Sequence, residues 1–540
     1  GSRLDEVSLK SCKRNIKKRN KRGKDRTDPV VLNADATLNP NPAAPLVVIV
    51  HIETNEPTSA CLRVSTGYRE WVVSSSSATN SHAVNIFGLR PATTAAIDGV
   101  VVDAGGNDTS LATMEVTTAP LPDDFPPMTA FSEPRRMAKG YTFFGVGRWM
   151  PGAREENYGL AMAVDNEGQV VWYYKTDVHA VDDVQRISNG NLLIVDLSNL
   201  AGQAIEIDML GNIVQRWQPR LWPTLDPDST FVDTDTLHHD MLELPNGNFL
   251  TLSTELRVVE DFPTLDPESP TETANVVGDI VVELTRDGTI VSEWSTFDMF
   301  DVHRIGYLSV IMLWNGTYAT STRAWTWANA VFYDERDDSI LVSSRHQNAI
   351  VKFSRSTGEV RWILSDPTGW GSEFQQYLLQ PEEGTTFPYA QHAVEVTRRG
   401  TIILHDNGNF RAMPPNPPIP ATENFSRAIE YRIDERAMTF KEVWSFGGNQ
   451  YYANFVGDAD PLRRNNRLIT FGGQVKTSEG VPTDVFFGSS ILAQILEIDL
   501  GHDDDDGDDS DDIVFELTIG DLSGRHNVYR SERLPSIGPR

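Results

Sequence analysis

The sequence predicts an all-β protein, a six-bladed β-propeller preceded by a small β-sandwich, and three observations carry that prediction. A strand pair returning through a tryptophan recurs after about residue 139, and a second strand pair with a Gly/Asn turn sits between the recurrences. Almost no stretch holds a 3.6-residue apolar period over ten residues, which disfavours a parallel α/β fold. At 540 residues the chain exceeds what one core usually organises, and 39% hydrophobic with 9% aromatic residues is ordinary for a folded protein.

The first element is basic. Lys10 to Arg26 carries few apolar residues and reads as a disordered, solvated arm over residues 1–27, with a partner-docking or processing segment as the other reading. Gly1-Ser2 reads as an appended scar. No apolar stretch follows the early charges, so any secretory signal is expected to have been removed or never to have existed. Cys12 and Cys61 are the chain's two cysteines; a disulfide tying the arm to the first domain and two free thiols are both allowed.

Residues 28–120 alternate β-branched runs with Ser/Thr/Gly/Asn turns: Leu46 to Glu53, Cys61 to Ser65, Trp71 to Ser75, Ala83 to Phe87, Ala95 to Asp103 and Ala112 to Thr117. That spacing suits a sandwich of about seven strands. Gly88-Leu89-Arg90-Pro91-Ala92-Thr93-Thr94 and the ending Val116-Thr117-Thr118-Ala119-Pro120 resemble a fibronectin type III module. The Pro-rich residues 121–138 then read as a linker.

Residues 139–540 hold the repeats. The tryptophan pairs are Leu160 to Tyr174, Ala204 to Trp217, Ile280 to Trp294, Ile350 to Trp362, Ile429 to Trp444 and Ile495 to Leu517, of which the last lacks its tryptophan. Between them fall Asp182 to Val195, His239 to Leu252 and His392 to Leu404; Trp327 to Val342 and Asp458 to Phe471 fit more loosely. Each unit is thus a four-stranded blade, radial repetition limits exposed edges, and Asn527 to Leu534 is the expected closing strand.

In a propeller the start of each inner strand points at the central channel, so the phase of the repeat nominates functional residues. Aligning the turn glycines brings Asp182, His239, His392 and Asp458 to one equivalent position, with Trp327 near it. His238, His239 and His392 are expected to converge with Arg345. The other tryptophans read as inter-blade packing. His346 and His405 read as residues that face solvent or pack between blades.

Three motifs carry a resemblance: His238-His239-Asp240 followed by Leu244-Pro245-Asn246-Gly247-Asn248; Ser343-Ser344-Arg345-His346-Gln347 followed by Ser356 to Trp362; and Gln391-His392 leading to Asp406-Asn407-Gly408-Asn409. Together they resemble the arylsulfotransferase family from about Leu160 to the C-terminus. The resemblance implies transfer of a sulfuryl group from a phenolic sulfate ester to a phenolic acceptor, through a covalent sulfohistidine and without a nucleotide sulfate donor. It implies His392 as nucleophile, Arg345 as the sulfate-binding arginine, Asn329 as the asparagine of a His-x-Asn motif, and a further active-site histidine in the His238-His239 pair, where the phase of the repeat favours His239 and leaves His238 open. Imidazole can attack sulfur without prior deprotonation, and a fixed guanidinium stabilises charge on the sulfonate oxygens. No metal or organic cofactor is required.

Two departures stand out. The His of the His-x-Asn motif is replaced by Trp327, an indole that donates only through its N–H and that the phase of the repeat places at the substrate-binding channel. This leaves a second reading open, a propeller that has lost turnover and serves as an extracellular binding or structural protein. Bacterial members also place a disulfide near the nucleophile, whereas no cysteine here lies beyond position 61.

The net charge of −29 argues against nucleic acid as partner, and the longest apolar stretches, such as Tyr307 to Trp314, fall short of a membrane span. No His/Cys spacing resembles a zinc site. The aspartate run within His502 to Asp512 reads as a solvated turn or a loose Ca²⁺ site. Asn107, Asn315 and Asn424 open N-glycosylation sequons. The expected location is secreted or periplasmic, and a homo-oligomer or a surface-protein partner is left open.

Overall fold

The computed structural model describes residues 9–19, 27–148, 158–178, 180–501 and 512–538. The greater part of the aspartate run lies outside these residues.

Residues expected to form a disordered arm instead contain an α-helix, Leu9–Arg19. Its few apolar residues are placed at helical spacing: Leu9, Cys12 and Ile16 share one face, which packs on Cys61, Val100 and Val102. Cys12 and Cys61 form a disulfide with their Cα atoms 6.2 Å apart, and Lys13 and Lys17 both pair with Asp108. Composition hid the helix because only one narrow face of it packs on the core.

The helix rests on a five-stranded antiparallel sheet of Val31–Leu38, Val48–Ser65, Glu70–Ile86, Thr94–Asp103 and Asp108–Thr117. The runs Leu46 to Glu53 and Cys61 to Ser65, expected as two strands, are joined in one of 18 residues. Its first half pairs with Val31–Leu38 and its second with Thr94–Asp103, and bulges between Glu53 and Ala60 bend it from one neighbour to the other. Trp71 to Ser75 and Ala83 to Phe87 are likewise joined in Glu70–Ile86. Alternate residues of both halves, from Val48 and Val50 to Leu62 and Val64, fill a common core. Arg90 anchors this unit to the next through Asp165 at 2.6 Å and Glu167 at 2.7 Å.

Six further small sheets follow among the described residues. The first joins Tyr141–Arg148, Leu160–Val164 and Val170–Lys175, and the second runs from Val181–Arg186 to Ile213–Pro219 and Thr230–Val232. The third spans His238–Glu243 to Ile290–Ser295, the fourth Ala328–Asp334 to Val360–Ser365, the fifth His392–Val396 to Thr439–Gly448, and the sixth Asp458–Pro461 to Ile513–Ile519. The expected tryptophan pairs are consecutive antiparallel strands within the sheets that carry them.

Those tryptophans couple neighbouring sheets. Trp172 Nε1 donates to Met209 O at 3.0 Å, Trp217 Nε1 to Arg286 O at 2.9 Å and Trp362 Nε1 to Glu435 Oε1 at 2.9 Å, in each case on the sheet that follows. Trp294 packs on Phe353 and Trp444 under Arg467 in the same sense. The sixth sheet lacks a tryptophan and takes a fifth strand instead: Met128–Ser132 pairs with Ile513–Ile519. Part of the expected linker is therefore sheet, because its apolar Met128 and Phe131 lie beside an otherwise open edge. The C-terminal strand Ser531–Leu534 returns to pair with Tyr141 to Phe144, so the chain ends where the repeats begin.

Candidate active site

Four of the six sheets carry a bulge where their first strand begins, at Val181/Val184, His238/Met241, Ala328/Ala330 and His392/Glu395. A bulge inserts residues without a ladder partner and turns their side chains off the sheet. His239, Trp327 and Ala393 take positive φ of 60°, 49° and 54° there, which costs energy for residues with a Cβ and concentrates at functional positions.

The bulges correct the register expected from turn glycines. His392 pairs with His405, and the residue that occupies the same ladder position in the third sheet is His238, paired with Leu252. The third-sheet strand advances from His238 to Met241 while its partner advances by one residue, Leu252 to Thr251. That excess rotates His239 onto the inner side although His238 holds the ladder position.

His239 then lies 5.1 Å from the Trp327 ring and 6.2 Å from the Tyr529 ring, centroid to centroid, and Tyr529 is 6.1 Å from His392. His238 sits behind, its Nδ1 2.7 Å from His239 Nδ1, its Nε2 3.3 Å from Ser253 O and 3.2 Å from Asp279 Oδ1. All three histidines are buried. Burial first, then the neighbouring His238, lowers the pKa of His239 well below the ordinary value; burial first, then the Arg345 guanidinium, does the same for His392. Both are neutral bases near pH 7.

Arg345 reaches the same cluster. Its Nη2 donates to Asn454 O at 2.7 Å and its buried Nε has no partner; desolvation lowers its pKa to about 10, which still leaves it charged. Among the described residues no carboxylate pairs with it. Asn329 is fully buried, its Nδ2 held by Gln391 O at 2.7 Å and its Oδ1 unpartnered. Trp327 stacks on His346 at 5.5 Å and 10° and touches Trp314 at 5.0 Å.

Several residues join the site that the sequence reading left out. His346 does not face solvent: it is buried beside Trp327, with Nε2 unpartnered and Nδ1 2.5 Å from the carbonyl oxygen of Ala324, a residue that pairs with Val277 of the third sheet, so it packs between neighbouring sheets. Tyr529 and Arg530 come from the turn into the closing strand; the Tyr529 hydroxyl donates to Asn329 O at 2.5 Å. Their signal was positional, since they immediately precede an inner strand as Gln391 and His392 nearly do. Asn407, from the quoted Asp406–Asn409 motif, lies 2.6 Å through Oδ1 from His392 Nδ1. His405 packs on Phe471, as the inter-blade alternative expected. The loop after His392 is held without a disulfide, by Asp406 pairing with Arg411 at 3.0 Å and Arg427 at 2.9 Å.

A cavity of about 380 Å³ lies on the other side of Arg530, lined by Asp183, Asp240, Glu395, Asp458, Asp460 and Glu532 among others, and by none of the six nominated site residues. Arg530 is one of its lining residues, with Nη2 2.9 Å from Asp240 Oδ2 and Nη1 3.4 Å from Asp183 Oδ2. Of the expected inward positions, Asp458 lines this acidic cavity, whereas Asp182 does not and its neighbour Asp183 does; burial pushes the carboxyls of Asp182 and Asp458 up, Asp458 to about 7. Among the described residues no group of three or more His, Cys, Asp or Glu side chains is arranged to hold a metal ion, and no helix is long and apolar enough to cross a membrane. Of the sequons, Asn424 is buried with its Nδ2 donating to Gly408 O at 2.5 Å, so it is no acceptor in the folded chain.

Comparison with known proteins agrees with this cluster of motifs. The arylsulfate sulfotransferase AssT of Escherichia coli O6:H1 (strain CFT073) is 26% identical over 375 residues, covering 59% of this chain and 58% of that protein. The AssT of Lelliottia amnigena is 26% identical over 394 residues, covering 63% and 60%. The chain thus matches less than two thirds of the length of these relatives. A luciferin-regenerating enzyme superposes with a TM-score of 0.31 at 9% identity over 74% of this chain and 97% of that one, too low for the likeness to bear on the fold. The family model described as Arylsulfotransferase (ASST) matches residues 132–530, most of the chain and all three histidine- and arginine-bearing motifs, and the chain belongs to that family.

Proposed function

We propose that this protein transfers a sulfuryl group from a phenolic sulfate ester to a phenolic acceptor through a sulfohistidine on His392, with no nucleotide sulfate donor. The six sheets are read as propeller blades around the axis where the histidines meet. The observation that carries the reading is a neutral, desolvated His392 in the field of Arg345, a guanidinium that forms no ion pair among the described residues, feels Asp484 only from a distance, and has an Nε without a partner. A cation held in that state is suited to an anionic ester.

In the first half-reaction a ring nitrogen of His392 forms a bond to sulfur as the sulfur–oxygen bond to the aryl group breaks, leaving phenolate. Arg345 offsets charge on the sulfonate oxygens. In the second half the acceptor oxygen attacks sulfur, its proton passes to neutral His239, and His392 is regenerated. The proton on His239 returns to the departed phenolate, which balances the cycle. The Cys12–Cys61 disulfide supports a secreted or periplasmic location.

One observation favours a second reading, an inactive channel: Trp327 fills the space between His239, His346 and Trp314. The two separate on one experiment. The full chain is mixed with a chromogenic aryl sulfate, with and without a phenol, beside His392→Ala. Acceptor-dependent colour and a gain of one sulfonate on the peptide holding His392, both absent in the variant, are expected; equal background release from both proteins would leave the binding role.

A further inference from the structure

The proposed chemistry does not say which nitrogen of His392 attacks, nor what decides it. Asn407 is fully buried, and its Nδ2 donates to Ala453 O at 2.7 Å and to Val456 O at 2.8 Å. Both amide hydrogens are therefore spent on oxygens that only accept. A flipped amide would set Oδ1 against those two carbonyl oxygens, leaving Val456 O without a donor and Ala453 O with only the longer contact from Ser426 Oγ at 3.3 Å, at a cost of about 1–3 kcal/mol for a lost donor in a buried site. The amide has one acceptable orientation.

In that orientation Oδ1 faces His392 Nδ1 at 2.6 Å. An amide oxygen cannot donate, so the ring must supply the proton at Nδ1. A neutral imidazole protonated there carries its lone pair on Nε2. Among the described residues no group hydrogen-bonds to that atom.

Resting on the reading of His392 as nucleophile, we infer that Asn407 is a positioning residue that keeps the proton of His392 on Nδ1 and so presents Nε2 to sulfur. The Nε2 lone pair forms the N–S bond while the S–O electron pair leaves with the phenolate. Nδ1 keeps its proton, and the ring becomes an N-sulfonated imidazolium whose charge the sulfonate balances. Because an amide oxygen cannot take that proton, the group that departs in the second half is neutral imidazole rather than imidazolate, a far weaker base and better leaving group. The neutrality of Asn407 is thus part of the device.

The device is shared with the anion site. The carbonyls that orient Asn407 belong to Ala453 and Val456, and the intervening Asn454 supplies the carbonyl that holds Arg345. Val456 takes φ of 49°, a costly conformation for a β-branched residue. One strained turn, residues 453–456, therefore sets both the nucleophile's proton and the guanidinium's place.

The test is a ¹⁵N–¹H correlation spectrum of the histidine rings in the full chain labelled at histidine, recorded without substrate, with His392 assigned by its loss in His392→Ala. Wild type is expected to show Nδ1 protonated and Nε2 bare. Asn407→Ala and the more conservative Asn407→Ser should move the proton toward Nε2 and lower kcat by about 10² or more with KM changed less than threefold. A wild-type ring protonated at Nε2, or folded variants that keep both the Nδ1 proton and the rate, overturns the inference. Because the spectrum needs no turnover, an inactive wild type with an Asn407-dependent Nδ1 proton removes the sulfotransfer reading alone, whereas an active wild type with an unmoved proton in the variants removes this one alone.

Discussion

Arg345 and Arg530 are both buried guanidiniums, yet they sit in opposite surroundings. Arg530 faces Asp240 at 2.9 Å and Asp183 at 3.4 Å; burial works against its charge, but those carboxylates more than offset it and hold its pKa well above the ordinary value. Arg345 has a backbone carbonyl, an unpartnered Nε and neutral histidines around it, and its pKa falls to about 10. The first charge is spent within the fold, and the second is held for something the fold does not supply. Strongly perturbed groups lie on both sides of Tyr529, so perturbation alone does not single out the site. What separates them is whether the charge already has its counter-ion.

The strongest test of that contrast is to remove each guanidinium. Arg530→Met leaves Asp240 and Asp183 buried without compensation and should cost about 3–5 kcal/mol in denaturant unfolding. Arg345→Met relieves desolvation and loses one hydrogen bond, so stability should move by no more than about 1 kcal/mol. Its turnover should instead fall by about 10²–10³, the usual loss when a donor to developing charge is removed. If Arg345→Met unfolds as readily as Arg530→Met, the contrast is wrong.

The two sides should also answer pH with opposite sign. His239 and His392 stay neutral in the folded chain well below 6.5, chiefly through burial, while the unfolded chain binds protons near that value. Their share of stability is complete above about 6.5 and is lost as pH falls below it. Asp183, Glu395, Asp458 and Glu532 are pushed up to about 7, again chiefly by burial, while their unfolded counterparts release protons near 4. Their share is complete below about 4 and is lost as pH rises through about 7. Glu532→Gln should therefore gain about 1–2 kcal/mol over wild type at pH 8 relative to pH 5, and His392→Phe should gain at pH 5 relative to pH 8. Parallel shifts in both variants would mean that these groups do not titrate as their burial requires.

How much of this was legible in the sequence depended on the range of the interaction that carries it. The tryptophan strand pairs could be read because alternation and turn residues act within about fifteen positions, and the same tryptophans then bind the next sheet. The convergence of His239, His392 and Arg345 followed from repetition. The phase of the repeat favoured His239 but left His238 open, because a bulge shifts the phase without any marked residue in the strand. Asn407 stood in a quoted motif, yet its work depends on carbonyls of Ala453 and Val456, and a backbone carbonyl has no sequence signature. Helix Leu9–Arg19 was missed because three well-placed apolar residues and a disulfide outweigh a basic composition.

The smallest expected effect concerns Trp327, which stands between the two readings of the histidine side. A general acid or base commonly contributes about 10²–10⁴ in rate, so restoring the family residue with Trp327→His invites a large gain. The packing argues for less. The indole stacks on His346 and touches both Trp314 and His239, so the smaller ring leaves a void and loosens the residue that would accept the proton. Core replacements of that kind cost about 1–3 kcal/mol and disturb neighbouring rotamers. Turnover of a chromogenic aryl sulfate by Trp327→His should therefore rise, but by about tenfold or less. A rise of 10² or more would mean that Trp327 merely occupies the place of a catalytic group. A fall would mean that the indole has become part of the ligand side, a face on which an aromatic ring rests while Arg345 holds its sulfate.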